Sequence, residues 1–97
     1  SSLNSSGKIY IDLGAARALN QGKSLLAAGI IKVEGNFGKG ANVLVLDEDN
    51  KNLARGLSSF TSFEINKIKG KQSKEIEHIL GYLSKSEIIH KDDMVKL

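Results

Sequence analysis

One stretch limits the possible folds of this chain more than any other. From Gly22 to Gly40 it reads Gly-Lys-Ser-Leu-Leu-Ala-Ala-Gly-Ile-Ile-Lys-Val-Glu-Gly-Asn-Phe-Gly-Lys-Gly. Gly22 stands where the left-handed residue that closes a helix is expected. Gly29 stands where a turn hands over to a strand, and a glycine there tolerates positive φ or the close approach of another backbone. Ile31 and Val33 alternate with Lys32 and Glu34, the period of a half-buried strand. Gly35, Gly38 and Gly40 bracket Phe37 and predict a flexible loop with one aromatic in it. A helix must therefore precede this stretch and further strands must follow it.

The flanking sequence supplies both. Lys8-Ile9-Tyr10-Ile11-Asp12 predicts a strand with Ile9 and Ile11 on one face, and Asp12 can cap the next helix through its carboxylate. That helix, about Gly14 to Gln21, carries Ala15, Ala16, Ala18 and Leu19, small enough to pack close to a sheet. Ala41 to Leu46 is apolar on both faces and predicts a central, covered strand. Asp47 to Asn50 is a polar turn, and Leu53 to Leu57 returns as the second half of a hairpin, with Leu53, Arg55 and Leu57 on the same side. Thr61 and Glu64 form a capping box, flanked by the hydrophobic pair Phe60 and Ile65, so a helix begins there and ends at Gly70. A second short helix starts near Ser73, buries Ile76, Ile79 and Leu80, and stops at Gly81. Ile88 to His90 and Met94 to Leu97 predict short strands around the turn Lys91-Asp92-Asp93. The order defines an α+β domain built on a small, mostly antiparallel sheet or barrel.

Composition narrows the function. Ninety-seven residues suit a single domain with one modest core, in which a deep enclosed active site is unexpected. No apolar run is long enough for a membrane span. The polar start, Ser1 to Ser6, predicts a linker rather than a signal peptide. The absence of cysteine excludes disulfides and thiolate metal sites and fits a cytoplasmic setting. Aromatic residues make up 5% of the chain, too few for a surface that stacks several unpaired bases. The net charge of +3 permits a polyanionic partner, held through its backbone and shape.

Motifs that suggest chemistry do not survive inspection. Gly22-Lys23-Ser24 ends like a phosphate-binding loop, but Arg17 stands where that motif needs its first glycine, and the triplet closes a helix instead of opening one. Gly35-x-x-Gly38 matches an RNA-clamping loop that joins helices, whereas this one joins strands. Asp47, Glu48 and Asp49 lack the spacing of a calcium loop and read as a solvated turn. His78 and His90 are too isolated for a metal site. His90 with Asp92 or Asp93 could pair a base with its orienter, but no nucleophile accompanies them. No catalytic or metal-binding residue is therefore assigned. Lys67, Lys69, Lys71 and Lys74 cluster around Gly70. They suit either a helix C-terminus and its solvated face or a phosphate-contacting patch.

A specific resemblance is carried by Gly7-Lys8-Ile9-Tyr10-Ile11-Asp12-x-Gly14-Ala15, then by Gly22-Lys23-Ser24-Leu25-Leu26-x-Ala28-Gly29-Ile30. These resemble the start of a PUA domain, the module named for pseudouridine synthases and archaeosine transglycosylases. Ala54-Arg55-Gly56-Leu57, Ile68-Lys69-Gly70, Ser73-x-Glu75-Ile76-Glu77, Ile79-Leu80-Gly81-Tyr82 and Ile89-His90-Lys91-Asp92 are similar to the C-terminal PUA domain of the bacterial glutamate 5-kinase family. The match spans 7–97. Three departures stand out: Ala27 lies where a proline is usual, Phe60 where tyrosine is common, and Lys91 where an arginine is expected.

The resemblance implies a PUA-like pseudobarrel over 7–97. It implies a parent enzyme that phosphorylates the γ-carboxylate of L-glutamate with Mg-ATP, opening proline biosynthesis under feedback by proline. The kinase domain would precede Ser1, so the domain itself needs no cofactor. It would act as a regulatory or structural appendage in contact with its own kinase domain and sister subunits. Related PUA domains grip structured RNA with the first helix, the following turn and strand, and the last strand. Carried onto this chain, that surface comprises Arg17, Lys23, Ser24, Gly29, Lys32, His90 and Lys91.

Overall fold

The computed structural model of the chain describes residues 6–97. The expected linker therefore lies, apart from Ser6, outside the described residues. The first strand, β1 (Gly7–Ile11), leads into α1 (Leu13–Asn20). Asp12 caps that helix: its Oδ1 accepts from the Ala15 N–H at 2.8 Å. Gly22, at φ +81°, ends it in the left-handed conformation. A short strand β2 (Leu25–Leu26), absent from the sequence reading, and a 3₁₀ turn (Ala27–Gly29) then enter β3 (Ile30–Glu34). The hairpin follows as β4 (Asn42–Leu46) and β5 (Asn52–Leu57), then α2 (Ser62–Ile68) and α3 (Ile76–Leu80), and finally β6 (Glu87–Ile89) and β7 (Met94–Lys96).

Five strands form one sheet in the order β3-β1-β4-β5-β7, and β2 pairs with β6 in a separate ribbon. Every pairing is antiparallel except β1 with β4. The α+β pseudobarrel of mostly antiparallel strands and short helices is the architecture expected. The last two strands do not pair with each other. β6 turns to β2 while β7 adds to the edge of β5.

The core is mostly aliphatic, with Phe37 and Phe60 as its aromatic members. Ile9, Ile11, Val43, Val45 and Ala54 are fully buried and point from the sheet toward Ile65, Ile68, Ile76, Ile88 and Ile89. Each such isoleucine or valine contributes roughly 1.5–3 kcal/mol relative to an exposed one. The central strand β4 is buried along Val43 to Leu46, as its two-faced apolar pattern requires.

Two local expectations are revised. Ile31 is 46% exposed, whereas Ile30 is buried. A bulge on the β1–β3 ladder pairs Tyr10 with Lys32 but Ile11 with Ile30, so Ile31 is the extra residue and the inward phase shifts by one. Phe37 is not a loop ornament either. It is 7% exposed, its N–H donates to Ser62 Oγ at 3.0 Å, and its ring lies where a side chain on Gly7 would stand. The glycines around it, Gly35 at φ +97° and Gly40 at φ +83°, bend the chain so that the ring turns inward.

Candidate nucleic-acid interface

The residues assigned to a site by sequence sit on three elements, and the structure joins some of them. After α1 ends, the chain passes through Lys23 and Ser24 before β2. From the other end of the chain, β6 delivers His90 and Lys91 to the same place. The Lys91 N–H donates to Ser24 Oγ at 2.8 Å, across 67 residues of sequence. Beside this bond Lys23, Lys91 and Lys96 ring a hollow of about 170 Å³, with Leu19, Gly22 and Met94 as its apolar lining. Lys96 Nζ donates to the Asn20 carbonyl at 3.3 Å, so this cation also meets the negative end of α1. Among the described residues Lys23 and Lys91 form no salt bridge.

Lys23 and Ser24 also border a second groove of about 310 Å³, between α1 and the turn after β2. Its walls are largely apolar, from Ala15, Ala18, Leu25 and Leu26. Gly29 belongs here for a steric reason. A Cβ on it would stand 2.4 Å from the Ala15 Cβ, so only glycine lets the turn press against α1. Its φ is not positive, so close approach, not backbone freedom, is its role. The Asp12 N–H donates to the Gly29 carbonyl at 2.9 Å and fixes the turn to the helix start. The result is an apolar trough whose lining includes one ammonium group, Lys23, and one carboxylate, Asp12; it can take the face of a sugar or base while Lys23 meets a phosphate oxygen.

The other assigned residues stand apart. Arg17 is exposed in the last turn of α1, and it lines neither groove. Lys32 lies on the outward side of β3, with its ammonium 4.4 Å from the centre of the Tyr10 ring and 3.3 Å from Glu34 Oε2. Tyr10 in turn donates its hydroxyl to Glu34 Oε1 at 3.0 Å. That hydrogen bond chiefly raises the tyrosine pKa and lowers the Glu34 carboxyl, which Lys32 lowers further. Lys32 thus already faces an anion. His90 Nδ1 accepts from the Asp92 N–H at 3.1 Å, which makes the side chain a cap for the turn.

Lys96 was not among the assigned residues. Its position on a strand was readable, but its meeting with α1 depends on β7 pairing with β5, which no local signal announces. The lysines around Gly70 are partly occupied locally. Lys67 sits 4.6 Å over the Phe63 ring and Lys69 donates to Asn66 Oδ1 at 2.8 Å. The Gly70 N–H donates to the Ala27 carbonyl at 2.7 Å, so that loop abuts the turn from its far side.

The Gly22-Lys23-Ser24 triplet does not form a phosphate-binding loop. The Gly22 and Lys23 N–H groups donate to the Leu19 and Ala18 carbonyls at 3.0 Å each, so the donors a phosphate would need are spent on the helix end. Among the described residues no group of three His, Asp or Glu side chains could hold a metal ion, and no helix is long and apolar enough to cross a membrane.

The sheet order, the β2–β6 ribbon and the glycine-tight turn against α1 together define a PUA domain. The PUA family model matches residues 7–80, and the chain belongs to that family. Among characterised proteins it is similar to glutamate 5-kinases. It is 61% identical to that of Pelagibacter ubique over 97 residues, which is 100% of this chain and 26% of the relative. It is 49% identical to that of Microcystis aeruginosa over 92 residues, 94% of this chain and 24% of the relative. The chain thus spans about a quarter of the length of the curated relatives it matches. Among solved structures, a PUA domain from Aeropyrum pernix K1, crystallised as a tartrate complex, overlays with a TM-score of 0.65 at 24% identity, covering 88% of this chain and 41% of that one. The archaeal box H/ACA sRNP Nop10–Cbf5 complex contains a chain that overlays with a TM-score of 0.62 at 23% identity, covering 86% of this chain and 24% of that one. These likenesses establish the fold.

Proposed function

We propose that this domain is the C-terminal accessory module of a glutamate 5-kinase, non-catalytic by itself, acting as a regulatory or structural appendage of its kinase domain and sister subunits in the cytoplasm. The observation that carries this reading is the 61% identity over the whole chain to one quarter of such an enzyme. The parent would transfer the γ-phosphoryl group of Mg-ATP to the γ-carboxylate of L-glutamate, the first step of proline biosynthesis. This domain contributes no group to that step, since its only phosphate-loop-like triplet has its N–H donors engaged. The test is direct. The complete protein should form γ-glutamyl phosphate from glutamate and ATP, and residues 1–97 alone should form none. Activity in the fragment, or its absence from the complete protein, would overturn the reading.

A second reading is favoured by a separate observation. The hollow ringed by Lys23, Lys91 and Lys96, beside an apolar trough, suits a structured RNA whose phosphates meet the rim. One structural neighbour is an H/ACA RNP bound to a substrate RNA. Titration of the domain with a structured RNA at low and near-physiological salt tests it. Salt-sensitive binding lost in Lys23→Glu and Lys91→Glu supports an RNA role, and no binding at low salt removes it.

A further inference from the structure

A further concavity lies away from the trough and the lysine ring, at the end of the sheet where the chain enters. It is an open groove of about 620 Å³ between the β3–β4 loop, the end of β5 and the segment after α3. Phe60, 1% exposed, lies beneath it, while Leu57 and Leu83 stand at its rim, 46% and 87% exposed. Leu83 is the most exposed large apolar side chain described. Lys39 and Lys85 add two positive charges against one carboxylate, Asp93. The groove therefore suits an apolar side chain flanked by acidic groups.

The topology says where such a partner would come from. The Ser6 N–H donates to the Asn42 carbonyl at 2.8 Å, and Asn42 pairs with Leu57 across the β4–β5 ladder. The entry to β1 is thus two strand spacings, about 10 Å, from the groove rim. An extended chain covers that distance in about three residues. In the glutamate 5-kinase relatives the matched domain is about a quarter of the polypeptide, so a far larger body is tethered within reach of these leucines.

We propose that the groove between Leu57 and Leu83 is the docking surface for the kinase domain that precedes β1 in the same polypeptide, received as an apolar side chain set between carboxylates. The inference rests on the accessory-module reading and adds the contact by which the module is held. Short tethering supplies a high effective concentration, so a groove of this size need not bind tightly to stay occupied.

The test uses the complete protein with a benzophenone amino acid in place of Leu83, and a control with the same probe in place of Leu13 on α1. Irradiation should join Leu83 to a peptide upstream of Ser1 within the same chain, without doubling the mass, and the Leu13 probe should not do so. A second measurement uses Leu57→Asp with Leu83→Asp, two rim positions whose change leaves the core intact. Proteolysis at the junction before β1 should accelerate several-fold. Failure of the Leu83 probe to reach the upstream sequence, equal joining from Leu13, a product between two chains, or unchanged proteolysis would each overturn the docking surface. Kinase activity of the unmodified complete protein, measured alongside, keeps the two ideas separate. If it is present, only the docking contact has failed. If it is absent, the accessory-module reading has failed as well.

Discussion

The hydroxyl of Ser24 accepts the backbone N–H of Lys91 at 2.8 Å, tying the exit of the first helix to the last turn of the chain. One small side chain therefore sets the spacing of the two ammonium groups beside it, Lys23 and Lys91. Ser24→Ala is expected to destabilise the fold by about 0.5–1.5 kcal/mol, the usual net value of one such bond. It should also loosen the approach of the turn to α1. Chemical denaturation reads the loss of stability, and faster hydrogen exchange at the Lys91 amide reads the lost bond.

Electrostatics predict an order among the lysines. Lys32 is shared with Glu34 and the Tyr10 ring, whereas Lys23 and Lys91 have no carboxylate partner among the described residues. If structured RNA binds, Lys23→Glu and Lys91→Glu should weaken it more than Lys32→Glu. Each lost phosphate contact should reduce the slope of log affinity against log salt by about 1. Glu34→Gln, which releases Lys32, should strengthen binding. Equal effects at all three lysines would show that the phosphates follow another path.

The α2 capping box gives a stability prediction. Thr61 Oγ1 accepts from the Glu64 N–H at 3.0 Å, and Glu64 Oε1 accepts from the Thr61 N–H at 2.8 Å. Thr61→Ala should cost about 0.5–2 kcal/mol, read as a fall in the denaturation midpoint.

Glu64 also predicts a pH dependence. Burial works to raise its pKa, but the Tyr82 hydroxyl at 2.5 Å, the Thr61 N–H and the charge of Lys39 together bring it below the ordinary carboxylate value. A carboxyl depressed on folding stabilises the native state at neutral pH, above its unfolded pKa. That contribution is lost as pH falls through its folded pKa. Tyr82→Phe should therefore lower stability at neutral pH, and the gap between variant and parent should shrink in acid. A gap that is constant with pH would mean that the tyrosine acts by packing alone.

Close packing of Gly29 on Ala15 can be tested with a pair of substitutions. Gly29→Ala should cost about 1–3 kcal/mol by forcing the turn off α1. Adding Ala15→Gly makes room and should recover part of the loss, less the roughly 1 kcal/mol that glycine costs in a helix. Gly38→Ala, with nothing within 4 Å of the added carbon, serves as the neutral control.

Local signals were the legible ones. Asp12, Thr61, Glu64, Gly22 and Gly81 announce where helices start and stop because caps act within a few residues, and all five behave as their types predict. The two-faced apolar run of β4 was readable for the same reason. What the sequence hid depends on distance. The bulge at Ile31 exists only in the ladder with β1, and the inward turn of Phe37 only because Gly7 and Ser62 make room and a bond for it. The two-residue strand β2 is too short for any periodicity and is defined by β6, whose Ile89 lies opposite Leu25. Of the candidate site, residue types carried the resemblance, but which lysines meet, and that Lys96 joins them, follows from strand order.

The pairing of Leu25 with Ile89 has a consequence for the order of events during synthesis. A chain growing from its N-terminus can complete the β1–β4–β5 sheet while Leu25 still lacks a partner and Ser24 still lacks a donor. Long-range pairings of this kind close late, since the loop entropy must be met before the contact stabilises anything. The lysine ring therefore assembles only once Lys91 and Lys96 are in place. A polypeptide interrupted before Ile88 could hold most of the sheet and yet present no such surface, because Lys91 and Lys96 would still be missing.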